Sequence, residues 1–298
     1  MTASEISTNG NHNDSNSSSY EGLAHVVEAL EVIYNPRSPN DARQAASSYL
    51  ENTKNDQSAP EYGIRLAGDK LQQTAIRYFG LSLIESSIQN GWENMSDGQS
   101  EKIRGYIIDL AKQINEEDPA YLVKKMGHLW IELAKRSWVA DWLDMDAQLL
   151  NLWLGSLAKK AFVLYVLETL SEEVFNQEDP TAGLRAHDLG KACVEIYTPV
   201  SVLQENFPSR DLRNSIRSGE EGWLNRLCDL LRWCLANSCE TDGNVKVLAT
   251  KTLSAIRATV SWVIPNAIRT TNCVATIFTA LTVVDVGLRT VSSLHLIT

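Results

Sequence analysis

The sequence predicts an all-α protein, a HEAT-like solenoid of helix pairs. Apolar residues recur at three- and four-residue steps through most of the 298 residues. No stretch alternates apolar and polar residues as a half-buried strand does. Helix pairs joined by short turns open near residues 23, 61 and 98, a period of about 37 residues that suits stacked helical repeats.

Residues 1–20, MTASEISTNGNHNDSNSSSY, are rich in Asn and Ser and read as a disordered polar tail. Residues 22–34 form the first predicted helix, with Leu23, Val26, Val27, Leu30 and Ile33 on one face. The turn NPRSPN leads to a helix over about 41–55, with Ala42, Ala45, Ala46, Tyr49 and Leu50 inward. After SAPEYG, a short helix over 61–68 precedes a long one from about Leu71 to Gln89. Leu71, Ala75, Ile76, Phe79, Leu83, Ile84 and Ile88 make its apolar sector, which Tyr78 and Leu81 widen. Gly80 interrupts strong helix formers at a cost of about 1 kcal/mol relative to Ala, so another backbone should approach there. Gly91 ends this helix and Trp92 packs after it.

Ser96 and Asp97 open a helix over about 98–115. Pro119 starts another, over about 119–136, whose apolar face carries Leu122, Val123, Met126, Leu129, Trp130, Leu133 and Ala134. Trp138 and Trp142 pin the turn that follows. Further helices are predicted at 146–158, 159–177, 188–206 with a bend at Pro199, 222–236, 244–261, 266–282 and 283–297. Residues 178–190 and 207–222 read as loops. The organisation is a tail at 1–20, repeats at 21–177 and further helical repeats with polar loops at 178–298. The chain stops inside a helical pattern without a polar cap, so either more solenoid follows in a longer parent or the last helices pack atypically.

The formal net charge is -10. Residues 21–177 hold 15 Lys/Arg against 23 Asp/Glu, and residues 178–298 hold 12 of each. Such an acidic middle disfavours nucleic acid in general and suits basic protein partners. Five Cys without a CxxC read as buried reduced thiols rather than a zinc site. No apolar run approaches the roughly 18 residues of a membrane span, and the N-terminus lacks the charged start and apolar core of a signal peptide. The glycines form no phosphate-binding loop, the histidines are scattered, and no nucleophile–base pair or acid cluster converges. The acids at 116–118 and 178–179 precede prolines in solvated turns. The reading is a non-enzymatic protein with no catalytic residue, metal or cofactor of its own.

Two blocks carry a resemblance. One runs Arg65-Leu66-Ala67, Thr74-Ala75-Ile76-Arg77-Tyr78-Phe79-Gly80-Leu81, Leu83-Ile84-Glu85, Trp92 and Met95-Ser96. The other is Ala134-Lys135-Arg136-Ser137-Trp138-Val139-Ala140-Asp141-Trp142-Leu143-Asp144-Met145. In order and spacing they resemble the N-terminal repeats of the exportin-5 family of importin-beta-like nuclear transport receptors, over about residues 22–177. Cys193–Ile196, Gly219–Leu231 and Val260–Ala267 look like the continuation in fungal-type members, and LGSLAKK at 154–160 departs from the pattern. The resemblance implies a right-handed HEAT-like solenoid, an ARM-type superhelix, of which this chain is an N-terminal fragment. It implies Ran in its GTP form as partner, bound on the inner helices, so that GTP belongs to Ran. It further implies RNA-hairpin or phosphoprotein cargo in a longer parent, nucleoporins as further partners, no membrane, and shuttling between nucleus and cytoplasm.

On this reading the second helix of each pair faces inward, and its non-core residues form the Ran-binding set: Arg43, Gln44, Gln73, Arg77, Lys124, Lys125, His128 and Glu132. Phe79, Gly80, Trp92, Trp130, Trp138 and Trp142 are structural anchors. Lys135-Arg136 beside Trp138 and Trp142 also fits a base-stacking site, but their apolar neighbours favour inter-repeat anchors. The repeat pattern by itself equally suits a generic HEAT scaffold for another protein partner, or a truncated receptor that does not transport.

Overall fold

The structure is a computed structural model that describes residues 12–175, 180–209, 216–237 and 242–282, with side chains described from Glu21 onward. Among the described residues the regular structure is entirely helical, apart from one isolated bridge between Trp138 and Trp142. The chain divides into two compact units, Met1–Ile103 and Arg104–Thr298.

In the first unit, α1 (His12–Tyr34) pairs with α2 (Asn40–Thr53), and α3 (Ala59–Gly68) pairs closely with α4 (Thr74–Gly91). Val26 and Leu30 of α1, Leu50 of α2, Tyr62 and Leu66 of α3, and Ile76 and Leu83 of α4 share one core, with Phe79 packed against it. The backbone of residues 12–20 is helical rather than a disordered tail. Once the packed half of α1 is nucleated, each added residue gains a backbone hydrogen bond. Residues 1–11 lie outside the described residues. Of the apolar residues expected inward on α2, Ala46 and Leu50 are buried, whereas Ala45 and Tyr49 face out.

The close approach expected at Gly80 is present. A Cβ there would stand 2.7 Å from the Ala67 amide nitrogen and 2.9 Å from the Gly63 carbonyl oxygen. Leu71, in contrast, is 96% exposed and precedes the helix. The Asp69 carboxylate accepts from the Leu71 N–H at 2.9 Å, and the Asp69 carbonyl accepts from Gln72. This side-chain turn breaks the helical pattern, and α4 starts only at Thr74. Trp92 opens a short 3-10 turn and is half-buried.

α5 (Asp97–Lys112) is entered through Ser96, whose N–H donates to the Gln99 side chain at 3.0 Å, half of a capping box. In the second unit, α6 (Ala120–Ser137), α8 (Leu157–Val174) and α13 (Gly243–Val260) pack in sequence, with α8 between the other two. α7 (Met145–Trp153) lies on α8. α8 starts at Leu157, where the Ser156 hydroxyl accepts from the Lys159 N–H, so the predicted helix 146–158 ends early at Gly155-Ser156. Within the predicted loop 178–190 the described residues, from 180 on, are helical: they hold α9 (Pro180–Leu184) and the start of α10 (Ala186–Tyr197). Pro180 occupies a first helical position, where its missing N–H costs nothing.

The bend expected at Pro199 is a full break, with α11 (Val200–Asn206) beyond it. α12 (Gly222–Ala236) packs on α10, on α13 and on α15 (Cys273–Leu281). α14 (Pro265–Thr270) is separated from α15 by Asn272 at φ 54°, so the predicted helix 266–282 is two helices. The left-handed conformation is one that Asn tolerates. α8 packs on α13 within the second unit, and the division between the two units falls inside α5. The helix predicted at 283–297 lies outside the described residues.

Candidate protein-binding site

The site residues of the second unit lie on α6. Lys124, His128 and Glu132 follow at four-residue steps, so they form one row along the helix. The row sinks as it runs. Lys124 is exposed, His128 is half-buried and Glu132 is 4% exposed. Lys125 is half-buried beside the row.

At the deep end the row joins a charge network. Glu132 meets Lys135 Nζ at 2.5 Å and Arg136 Nη1 at 2.7 Å. Lys135 also meets Glu173 of α8 at 2.8 Å, and His128 Nδ1 stands 3.9 Å from the same carboxylate. Burial opposes the charge on Glu132. The hydrogen bond and charge of Lys135, with Arg136, outweigh it and hold the carboxyl below its ordinary range. Arg185, at the start of α10, donates to the carbonyls of Lys135 and Trp138, closing the C-terminus of α6. Glu132 is therefore a buried acid of this network rather than a solvent-facing side chain.

The tryptophan anchors lie against this helix end. Trp130, Trp138 and Trp142 are almost fully buried. Trp130 meets Trp142 at 4.9 Å between centroids and Phe162 at 5.8 Å, edge-on. Val139 holds φ 71° between the two bridging tryptophans, a costly conformation for a β-branched residue. With no indole face left for a base, the stacking-site reading is excluded for Trp138 and Trp142.

The exposed end opens into a cleft of about 420 Å³ lined by Lys124, Tyr165 of α8 and Lys251 of α13. Burial, and then repulsion from Lys124, lower the pKa of Lys251. Glu168 beside them is pushed up, chiefly by burial and then by Glu172. Glu116 and Asp118 line the same cleft, so its charge is mixed.

In the first unit, Gln44 and Gln73 are exposed and Gln73 precedes α4. Arg43 is half-buried and donates to the Asn35 carbonyl at 2.8 Å. Arg77 is 7% exposed and its Nε donates to the Ala67 carbonyl at 3.3 Å. It stitches α4 to the end of α3, so it too is removed from the solvent-facing set. Its position on the polar strip of the sequence carries no sign of this, because the carbonyl it satisfies belongs to another helix.

Sequence reasoning passed over Asp146. This residue sits in the first turn of α7, is 1% exposed, and accepts from the Ser218 N–H and the Trp223 indole N–H, each at 2.5 Å. Arg226 lies over the Trp223 ring at 5.1 Å. The partners stand more than seventy residues away in sequence, so no local signal marks the carboxylate. Among the described residues no three His, Cys, Asp or Glu gather as a metal site, and no helix is long and apolar enough to cross a membrane.

No family model matches the chain. It is 28% identical over 218 residues to Protein MSN5 of Saccharomyces cerevisiae, an alignment covering 68% of this chain and 18% of that protein. It is 29% identical over 268 residues to an uncharacterized Schizosaccharomyces pombe protein, covering 86% and 21%. Exportin-5 of Mus musculus is 23% identical over 256 residues, covering 83% and 20%. The chain thus spans about a fifth of the length of these relatives. Its helix pairs define a helical-repeat protein. In sequence the chain is exportin-5-like, similar at modest identity to Protein MSN5 and to exportin-5 proteins.

Proposed function

We propose that this chain is the part of a nuclear export receptor that binds Ran in its GTP form. The observation that carries the reading is its similarity, over much of its length, to proteins named exportin-5 and exportin-1. The surface offered in the second unit is the outer row of α6, Lys124 with Lys125 and His128; in the first unit, Gln44 and Gln73 are offered separately. These are side chains that the fold leaves at least partly in solvent. A helical face of this kind recognises a protein surface without a deep pocket. GTP orders the switch loops of Ran, and an ordered loop presents a fixed surface that its GDP form lacks.

The chain performs no chemistry in this scheme. Direction of transport comes from the nucleotide state of the partner, and cargo, an RNA hairpin or a phosphoprotein, is held by a longer parent. The protein then shuttles between nucleus and cytoplasm. Titration of the chain with Ran loaded with a non-hydrolysable GTP analogue, against Ran-GDP, tests the reading. Equal affinity for both states would favour a general helical-repeat scaffold.

A further inference from the structure

We propose that Cys228 and Cys273 form a redox-modification site, two buried thiols that a peroxide converts into a disulfide joining α12 to α15. The inference is independent of Ran binding. Cys228 lies on α12 and Cys273 opens α15; both are free and fully buried. The two helices pack on each other. Arg232 follows Cys228 by one turn on the same face of α12. Its guanidinium donates to the Thr276 hydroxyl at 2.8 Å and to the Thr271 carbonyl at 3.4 Å. Thr271 and Thr276 bracket Cys273, so Arg232 ties the Cys228 face of α12 to the segment that carries the second thiol. Each thiol shifts the titration of the other.

The pair is asymmetric. The Cys273 hydrogen bond leads in holding Cys228 below the ordinary thiol range, against burial and with help from Thr271 and Arg232. Asp229, 2.5 Å from Arg232, partly offsets that charge. The same hydrogen bond, with burial, pushes Cys273 up. Cys228 is therefore the attacking thiolate and Cys273 the resolving thiol. Cys193, fully buried without such partners, is pushed up by burial.

In the first step Cys228 sulfur attacks one peroxide oxygen. The S–O bond forms, the O–O bond breaks, and the second oxygen leaves as hydroxide and is protonated to water. Sulfur is oxidised to the sulfenic acid while peroxide is reduced. In the second step Cys273 loses its proton and displaces the hydroxyl, forming S–S, breaking S–O and releasing another water. Two thiols and one peroxide give one disulfide and two waters. A small neutral oxidant enters by local opening of the helices, and in a reducing compartment such a bond is transient.

The test is a peptide map of the full chain, reduced, treated with hydrogen peroxide, alkylated and digested with trypsin. Cleavage after Arg226 and Arg232 isolates Cys228 from Cys234, and cleavage after Arg269 and Arg289 isolates Cys273. We expect the 228–273 linkage to exceed every other pairing about tenfold, because proximity makes the second step effectively unimolecular, and to disappear with dithiothreitol. Cys273→Ser should leave a sulfenic acid at Cys228, trapped by dimedone, and no linkage. Cys193→Ser should leave the linkage intact. Cys228 and Cys273 remaining alkylatable in the folded chain would overturn the proposal, as would pairing no different from that of the urea-unfolded chain. The wild-type map decides the matter alone if Cys273→Ser does not fold.

Discussion

Gly63 and Gly80 face each other where α3 meets α4: a Cβ on Gly63 would stand 2.7 Å from the Gly80 carbonyl oxygen, and one on Gly80 would stand 2.9 Å from that of Gly63. Both neighbours are backbone and cannot swing aside. Gly80→Ala gains about 1 kcal/mol of helix propensity but forces the helices apart, an overpacking cost of about 1–3 kcal/mol or more. We predict net destabilisation in urea unfolding. Gly105→Ala, where a Cβ meets nothing within 4 Å on an exposed face of α5, should stabilise by about 0.5–1 kcal/mol.

Glu132 and Asp146 should give pH dependences of opposite sign. The folded pKa of Glu132 is lowered, so its contribution is fully present above the unfolded carboxylate range and is lost as pH falls through the folded value. Asp146 is pushed up, chiefly by burial, so the native state keeps its proton to higher pH than the unfolded chain. Its contribution falls as pH rises from the unfolded pKa to the folded one. Stability of Glu132→Gln measured across acid pH should vary less steeply than wild type, and that of Asp146→Asn more steeply on the rising side. Parallel curves for all three proteins would remove both carboxyls from the account.

At neutral pH, Glu132→Gln removes one counter-charge from Lys135, which keeps Glu173, and strips the same support from Arg136. Breaking buried pairs in this way costs about 3–5 kcal/mol when the remaining charge is stranded. Because Glu173 remains, the lower end is expected in denaturant unfolding. Asp146→Ala orphans the Trp223 and Ser218 N–H groups, at about 1–3 kcal/mol for each group left unpaired.

Charge reversal separates contact residues from structural ones. Lys124→Glu should weaken Ran-GTP binding by about tenfold, within the range of a rim charge or modest hot spot, and leave the unfolding midpoint near that of wild type. Arg77→Glu should lower the midpoint, since it breaks the tie to the Ala67 carbonyl and buries a stray carboxylate. The reverse pattern, a stable Arg77→Glu and a destabilised Lys124→Glu, would contradict the placement of both.

What was legible in the residues follows from how local each cause is. A glycine amid strong helix formers has few explanations, so the close approach at Gly80 could be read directly. Trp138 and Trp142 sit among apolar neighbours, and their burial follows the pattern. Leu71 keeps the helical period but stands outside the helix, because the Asp69 carboxylate takes its N–H. Arg77 and Glu132 fit a polar strip, yet the partners that bury them come from α3 and from charges one turn further along α6. The approach of Lys251 to Lys124 depends on α8 lying between α6 and α13, a tertiary fact without trace in either segment.

The central claim is nucleotide-dependent recognition, and calorimetric titration of the chain with Ran in its two nucleotide states tests it most directly. The account predicts clear saturable binding of Ran carrying a non-hydrolysable GTP analogue, weakened by Lys124→Glu, with affinity for Ran-GDP lower by at least about tenfold, a difference of about 1.4 kcal/mol. Equal binding of both states, or binding of neither by a folded chain, would contradict it.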